Sequence, residues 1–230
     1  MSAPRLLVSW SGGKDAAWML HLLRQAGAEV VGLMTTLRAD TGRVVMHDVP
    51  LTLLEAQAEA AGLPLLTVPL PWSCPNPAYE AATGAALAEA RDRLGVTHVA
   101  FGDLFLEDIR RYREHLMAGV GLTPLFPLWG QPTGALARQM VAGGLRARVA
   151  CVDTARLDAA LAGREFDAAF LDALPPGVDP CGEGGEFHTF TWGGPMFTSP
   201  IEVSVGVRQE RDGSAYADLV GARRSSSSSS

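Results

Sequence analysis

The sequence predicts an α/β protein: a doubly wound parallel sheet with a small β extension at its C-terminal end. Three observations carry that prediction. Strand-like and helix-like runs alternate over the first 150 or so residues, the pattern of parallel βαβ units. A glycine turn joins the first strand directly to the first helix. Roughly the last fifty residues drop this alternation for segments set around Asp212-Gly213, a hairpin dipeptide. With 230 residues, 47% of them hydrophobic, the chain can bury a sizeable core, and wholesale disorder is excluded.

Arg5–Ser9 is a short apolar run, followed by a helical pattern in which Ala16, Met19, Leu20 and Leu23 recur on one face until Gly27. Glu29–Thr35 reads as a second strand. A helix capped near Asp48, with Pro50 in its first turn, runs to a stop at Gly62. Leu65–Leu70 is a third strand, and Asn76-Pro77 opens a helix that reaches Leu94 and closes at Gly95. His98–Gly102 follows as a fourth strand. A helix over Glu107–Ala118, an apolar run over Thr123–Leu128, a helix over Thr133–Val141 and a strand over Arg146–Val152 continue the alternation. Asp167–Ala173 is helical, Pro180–Phe190 a loop, and Ile201–Arg208 with Tyr216–Val220 the closing strands. The expected division is an α/β domain over 1–153, a C-terminal region over 154–224 and a low-complexity serine tail over 225–230.

Composition narrows the function. A formal net charge of −6 argues against a protein that holds nucleic acid by broad phosphate neutralisation. Cys74, Cys151 and Cys181 are far apart and form no C-x-x-C, which points away from structural zinc and from a disulfide framework. With no signal-peptide pattern and no apolar run of membrane-spanning length, the expectation is a soluble cytoplasmic protein with no membrane partner.

Open α/β sheets bind ligands beyond the carboxyl ends of their strands, where strand order reverses. Ser11–Asp15, Asp103 and Gln131 all follow predicted strand ends. In Ser11-Gly12-Gly13-Lys14-Asp15 the glycines turn backbone N–H groups toward an anion, and the helix N-terminus adds partial positive charge. Ser11 supplies a hydroxyl and Lys14 a point charge. Lys14 is the only lysine among 19 basic residues, so this position favours a compact ammonium over a planar guanidinium. Asp15 would repel a polyphosphate unless a cation bridged them, which implies Mg²⁺ with Asp15 as its ligand.

SGGKD after a first strand resembles the PP-loop of the ATP pyrophosphatase superfamily, whose members cleave ATP between the α- and β-phosphates. The late loop PCGEGGEFHTF (180–190) resembles the second signature of the diphthine–ammonia ligase family, and Gly102-Asp103-Leu104 and Pro127-Leu128-Trp129 match that family's order and spacing. The resemblance covers about residues 5–200. It implies a Rossmann-like fold of the adenine nucleotide alpha hydrolase type. It also implies an ATP-dependent ligase that adenylates a carboxylate and lets ammonia displace AMP, the acceptor being small or protein-borne. One departure is that Ala16 stands where the PP-loop usually carries Ser or Thr.

The resemblance assigns ATP to Ser11, Gly12, Gly13, Lys14 and Asp15, with Met34 and Thr35 at the adenine edge by backbone contacts. Such a ligase needs a group to accept a proton from ammonium. Asp103, Glu183 and Glu186 are the candidates with Lys14 for catalysis; a helix cap is equally open to Asp103. Gly185, Glu186, His188 and Thr189 are expected against substrate, and so is one of the helix arginines, Arg110 before Arg111 and Arg113, although that helix otherwise reads as a solvated, ion-paired face. Cys181 has no base partner in sequence and reads as a small buried residue. A tRNA-modifying PP-loop enzyme and a non-enzymatic nucleotide sensor remain alternatives, and a homodimer is open.

Overall fold

A computed structural model describes residues 3–44 and 47–221. Strands β1 (Arg5–Ser9), β2 (Glu29–Arg38), β3 (Leu65–Leu70), β4 (His98–Ala100) and β5 (Thr123–Leu125) form a parallel sheet in the order β3-β2-β1-β4-β5. Helices α1 (Lys14–Gln25), α2 (Leu51–Ala61), α3 (Asn76–Leu94), α4 (Glu107–Val120) and α5 (Thr133–Ala142) complete the α/β part. The order reverses between β2-β1 and β4, which makes the carboxyl ends of β1 and β4 the place for a ligand.

The inner strands β1, β2 and β4 bury residues on both sides because helices cover both. Leu6 and Val8 of β1 join a core with α1, α2 and α5, while Leu7 between them joins Leu87 of α3 and Met117 of α4. The sequence expectation for β2 stops three residues short of Arg38, and β4 ends two residues before Gly102. Helix α2 departs from its predicted cap. Pro50 is the N-cap residue, and Asp48 sits at φ +52, its carboxylate paired with Arg43 and Arg211.

The second sheet is antiparallel, in the order β7-β6-β9-β8, built from β6 (Arg146–Asp153), β7 (Phe187–Gly193), β8 (Val203–Arg211) and β9 (Ser214–Gly221). Helix α6 (Ala168–Asp172) precedes β7, capped by Asp167, whose carboxylate accepts from Phe170 N–H at 2.7 Å. The β6 segment, which its sequence continues from the parallel alternation, pairs with β7 and β9 instead. Asp212 and Gly213, at φ +51 and +76, form the tight turn between β8 and β9 that their dipeptide predicts. Val149, Val152, Phe187 and Phe190 of this sheet pack into the same core as α1 and α5, so the two sheets share one apolar interior.

Candidate active site

The chain leaves β1 at Ser9 and enters α1 at Lys14 through Trp10–Gly13. Gly12 holds φ +78, and a Cβ there would lie 2.9 Å from Gln57 Oε1, so both backbone and space require glycine. Gln57 on α2 is wholly buried. Its amide donates to the Gly12 carbonyl at 2.9 Å and the Thr191 carbonyl at 2.6 Å, while its oxygen accepts from Trp10 Nε1 at 2.9 Å. Thr191 N–H also donates to Gly12 O at 2.9 Å. The loop's carbonyl is thereby tied inward. The N-cap residue Gly13 has no side chain to cap α1, so the first-turn amides that follow Lys14 gain no cap from it.

The second glycine-rich segment folds over the same place. Lys14 N–H donates to Thr189 Oγ1 at 3.0 Å, and the Lys14 ammonium donates to the Cys181 carbonyl and to Asp15 Oδ2, the latter at 2.8 Å. Phe166 and Phe187 present ring faces to the same ammonium at 5.7 and 5.3 Å. Burial works against the Lys14 charge, but Asp15 and the nearby Cys181 and Glu183 outweigh it and raise its pKa. The lysine thus remains a cation at 2% exposure.

A cleft of about 430 Å³ opens here. Ser11, Lys14, Asp15, Met34 and Thr35 line one side; Asp103, Glu183, His188 and Thr189 line the rest. Gly102 brings β4 against α1: a Cβ on it would stand 3.3 Å from the Ala16 nitrogen. Glu183 Oε1 accepts from Leu104 N–H at 2.8 Å. Burial, reinforced by Asp15 and Asp103 and opposed by that hydrogen bond, pushes the Glu183 carboxyl up to about 7. Burial also raises Asp15, against the pull of Lys14, and raises Asp103, against Arg113. His188 and His47 stack with ring centres 4.7 Å apart, and burial lowers them to about 4 and about 3, so both are neutral near pH 7. Cys181 is buried, its thiol pushed up to about 12 by desolvation, which makes it a poor nucleophile at neutral pH.

Two family profiles match the chain: the diphthamide synthase N-terminal domain over residues 4–124 and the diphthamide synthase C-terminal domain over 133–221. The chain belongs to the diphthamide synthase family. The zebrafish (Danio rerio) diphthine–ammonia ligase is 30% identical over 215 residues, covering 83% of each chain. The human ligase is 27% identical, covering 84% of this chain and 80% of its own, and the bovine ligase is 26% identical, covering 91% and 86%. The predicted tRNA methyltransferase subunit of Methanocaldococcus jannaschii superposes at 16% identity and TM-score 0.41 over 64% of this chain and 80% of that one, too distant to inform function.

Within this diphthamide synthase relative, three residues expected against substrate do not line the cleft. Glu186 is buried outside the cleft, its Oε1 3.0 Å from Arg156 Nη1 and accepting from Asp179 N–H at 3.3 Å, which pins the glycine loop. Gly185, at φ +81, turns that loop and donates to Gly182 O at 3.0 Å without lining the cleft. Arg110 pairs with Glu114 at 2.9 Å and lies over Phe126 and Trp129; Arg113, one turn on, reaches the cleft instead. Gly12 and Gly13 shape the loop rather than line the cavity. Gln57 and His47 are residues at the site that the sequence reading did not single out, while Arg113 is one of the helix arginines it kept behind Arg110. For Gln57 a signal existed: it is an amide on the apolar, buried face of α2.

Proposed function

We propose that this protein is an AMP-forming, ATP-dependent amide ligase of the cytoplasm. The observation that supports it most is the junction at Lys14, where the phosphate loop and the acidic glycine loop meet on one cleft through two hydrogen bonds, to Thr189 Oγ1 and to the Cys181 carbonyl. In this reading the α1 amides, Ser11 and Lys14 hold the ATP phosphates, and Met34 and Thr35, inside β2 at the level where β1 ends, take the adenine edge. A carboxylate oxygen of the acceptor attacks the α-phosphorus, the bond to the β-phosphate breaks, and pyrophosphate leaves. Ammonia then attacks the acyl carbon, the C–O bond to AMP breaks, and Glu183 takes the surplus proton. A pKa near 7 suits that task.

Mg²⁺ fits the residues present. Asp15 Oδ1 and Asp103 Oδ2 are buried without hydrogen-bond partners, and the two carboxylates lie close enough to repel one another. They would hold the ion, which when bound neutralises charge between phosphate and carboxylate. Among the described residues no group of three or more His, Cys, Asp or Glu is placed to hold a metal ion.

The test is product analysis. With ATP, ammonium and a panel of carboxylic acids, AMP and pyrophosphate are expected in equal amounts. ADP and inorganic phosphate as products would sink the mechanism.

A further inference from the structure

An acceptor carboxylate has to enter a cleft already lined by Asp15, Asp103 and Glu183. Something cationic must draw it in, and in the ligase reading Lys14, between Asp15 and the Cys181 carbonyl, serves the nucleotide phosphates. The one other Lys or Arg among the described lining residues is Arg113. Its guanidinium lies against the Phe101 ring at 4.9 Å, and its Nη1 donates to Tyr79 Oη at 3.1 Å. Asp103 Oδ2 faces its Nε at 3.7 Å, an ion pair longer than a hydrogen bond, so that buried Nε has no hydrogen-bond partner.

A second buried polar atom without a hydrogen bond faces the same space. Thr83 on α3 is 2% exposed, lines the cleft, and its buried Oγ1 has no hydrogen-bond partner. Buried polar atoms are seldom left unmatched, so a donor pair of this kind calls for an acceptor from outside the chain. The floor of the cleft therefore runs cation, acid, acid, cation: Lys14, Asp15, Asp103, Arg113. The two acids separate Arg113 from the phosphate loop. Beyond Arg113 the wall is apolar, made by Leu116, Met117 and Ile109, with Ile109 39% exposed at the mouth.

We infer that Arg113 and Thr83 form the acceptor subsite, a fork and a hydroxyl that bind the carboxylate of an acid whose body is apolar and lies along α4. A planar guanidinium matches a carboxylate edge to edge, and Phe101 and Tyr79 fix its plane. The inference rests on the ligase reading and names its second substrate by class. An anionic oxygen could also come from the nucleotide, and the experiment separates the two sources.

The probes are Mg²⁺ with α,β-methylene-ATP, 3-phenylpropionate, and 3-phenylpropionamide as the uncharged control, titrated by calorimetry into wild type, Arg113→Gln, Arg113→Lys and Thr83→Val. Expected is binding of 3-phenylpropionate but not its amide to the nucleotide-loaded protein. Arg113→Gln should weaken the acid at least about tenfold and Thr83→Val about threefold, with Arg113→Lys intermediate. Nucleotide affinity should stay within about twofold throughout. Overlaid far-UV circular dichroism and melting curves show that the variants fold. Failure of the nucleotide to bind wild type would instead remove the ligase reading itself. Nucleotide binding lost with Arg113→Gln, competition between acid and nucleotide, equal binding of acid and amide, or no acid binding to wild type would each overturn the subsite.

Discussion

The Lys14 ammonium is surrounded by a carboxylate, a carbonyl and two ring faces, so its position is set before any ligand arrives. Arginine would keep the charge but force a larger, planar group between Phe166 and Phe187, at a cost of about 1–3 kcal/mol in packing. Lys14→Arg is therefore expected to weaken nucleotide binding at least about tenfold in a calorimetric titration, and unchanged affinity would show that the ammonium does not grip phosphate. Ala16 is the reverse case. It lines the cleft at the start of α1 and offers no hydroxyl. Ala16→Ser should tighten nucleotide binding by about 1 kcal/mol, near fivefold, through one added hydrogen bond. Glu183 sets the pH dependence of turnover. Its carboxyl, held up to about 7 by burial, must lose its proton to act as a base, so kcat/KM should rise through that pH and level off above it. Glu183→Gln should remove the acid limb together with most of the activity; a limb that persists in this variant would belong to another group.

Helix α2 acts on the site through one side chain. Gln57→Leu keeps the volume but strands the Trp10 indole N–H and the Thr191 carbonyl, while Gly12 O retains Thr191 N–H. Two buried groups without partners should cost about 3 kcal/mol in urea denaturation. Nucleotide affinity should fall with it, because the phosphate loop loses its inner tie. A variant as stable as wild type would mean that the loop holds its shape unaided. The same element shows how far sequence reaches. The phosphate loop was legible because its features are local: a strand, two glycines, an ammonium and a helix start. The parallel strands were legible because helical patterns and glycine or proline stops bracket each apolar run. Strand β7 was not, since three glycines precede it and both its faces are largely buried, so no two-residue alternation shows. An apolar run such as β6 also looks alike in either sheet, and only pairing decides. Arg110 and Arg113 lie on neighbouring faces of α4. What separates them is packing: Phe126 and Trp129 take the first, Phe101 and Tyr79 the second.

At the scale of the molecule, the cleft stores titratable groups that folding has moved in opposite directions, and stability should record it. His47 and His188, lowered to about 3 and about 4 from 6.5, bind protons more readily when unfolded, so their share of stability is lost as pH falls below about 6.5. Glu183 runs the other way. Raised from 4.5 to about 7, it binds its proton more tightly when folded, so its contribution is lost as pH rises from about 4.5 through 7; Asp15 and Asp103 are shifted in the same sense. Because these terms overlap, the whole curve cannot assign them, but differences between variants can. Urea unfolding of Glu183→Gln and wild type should show the variant gaining relative stability as pH rises from about 4.5 to 7. His188→Asn should gain it as pH falls from about 6.5 to 4. Parallel curves for either pair would mean that the group is solvated in the native protein. The cleft would then be open to water where the fold closes the second sheet over the first, and both Glu183 as a base near neutrality and the neutral histidine pair would lose their physical footing.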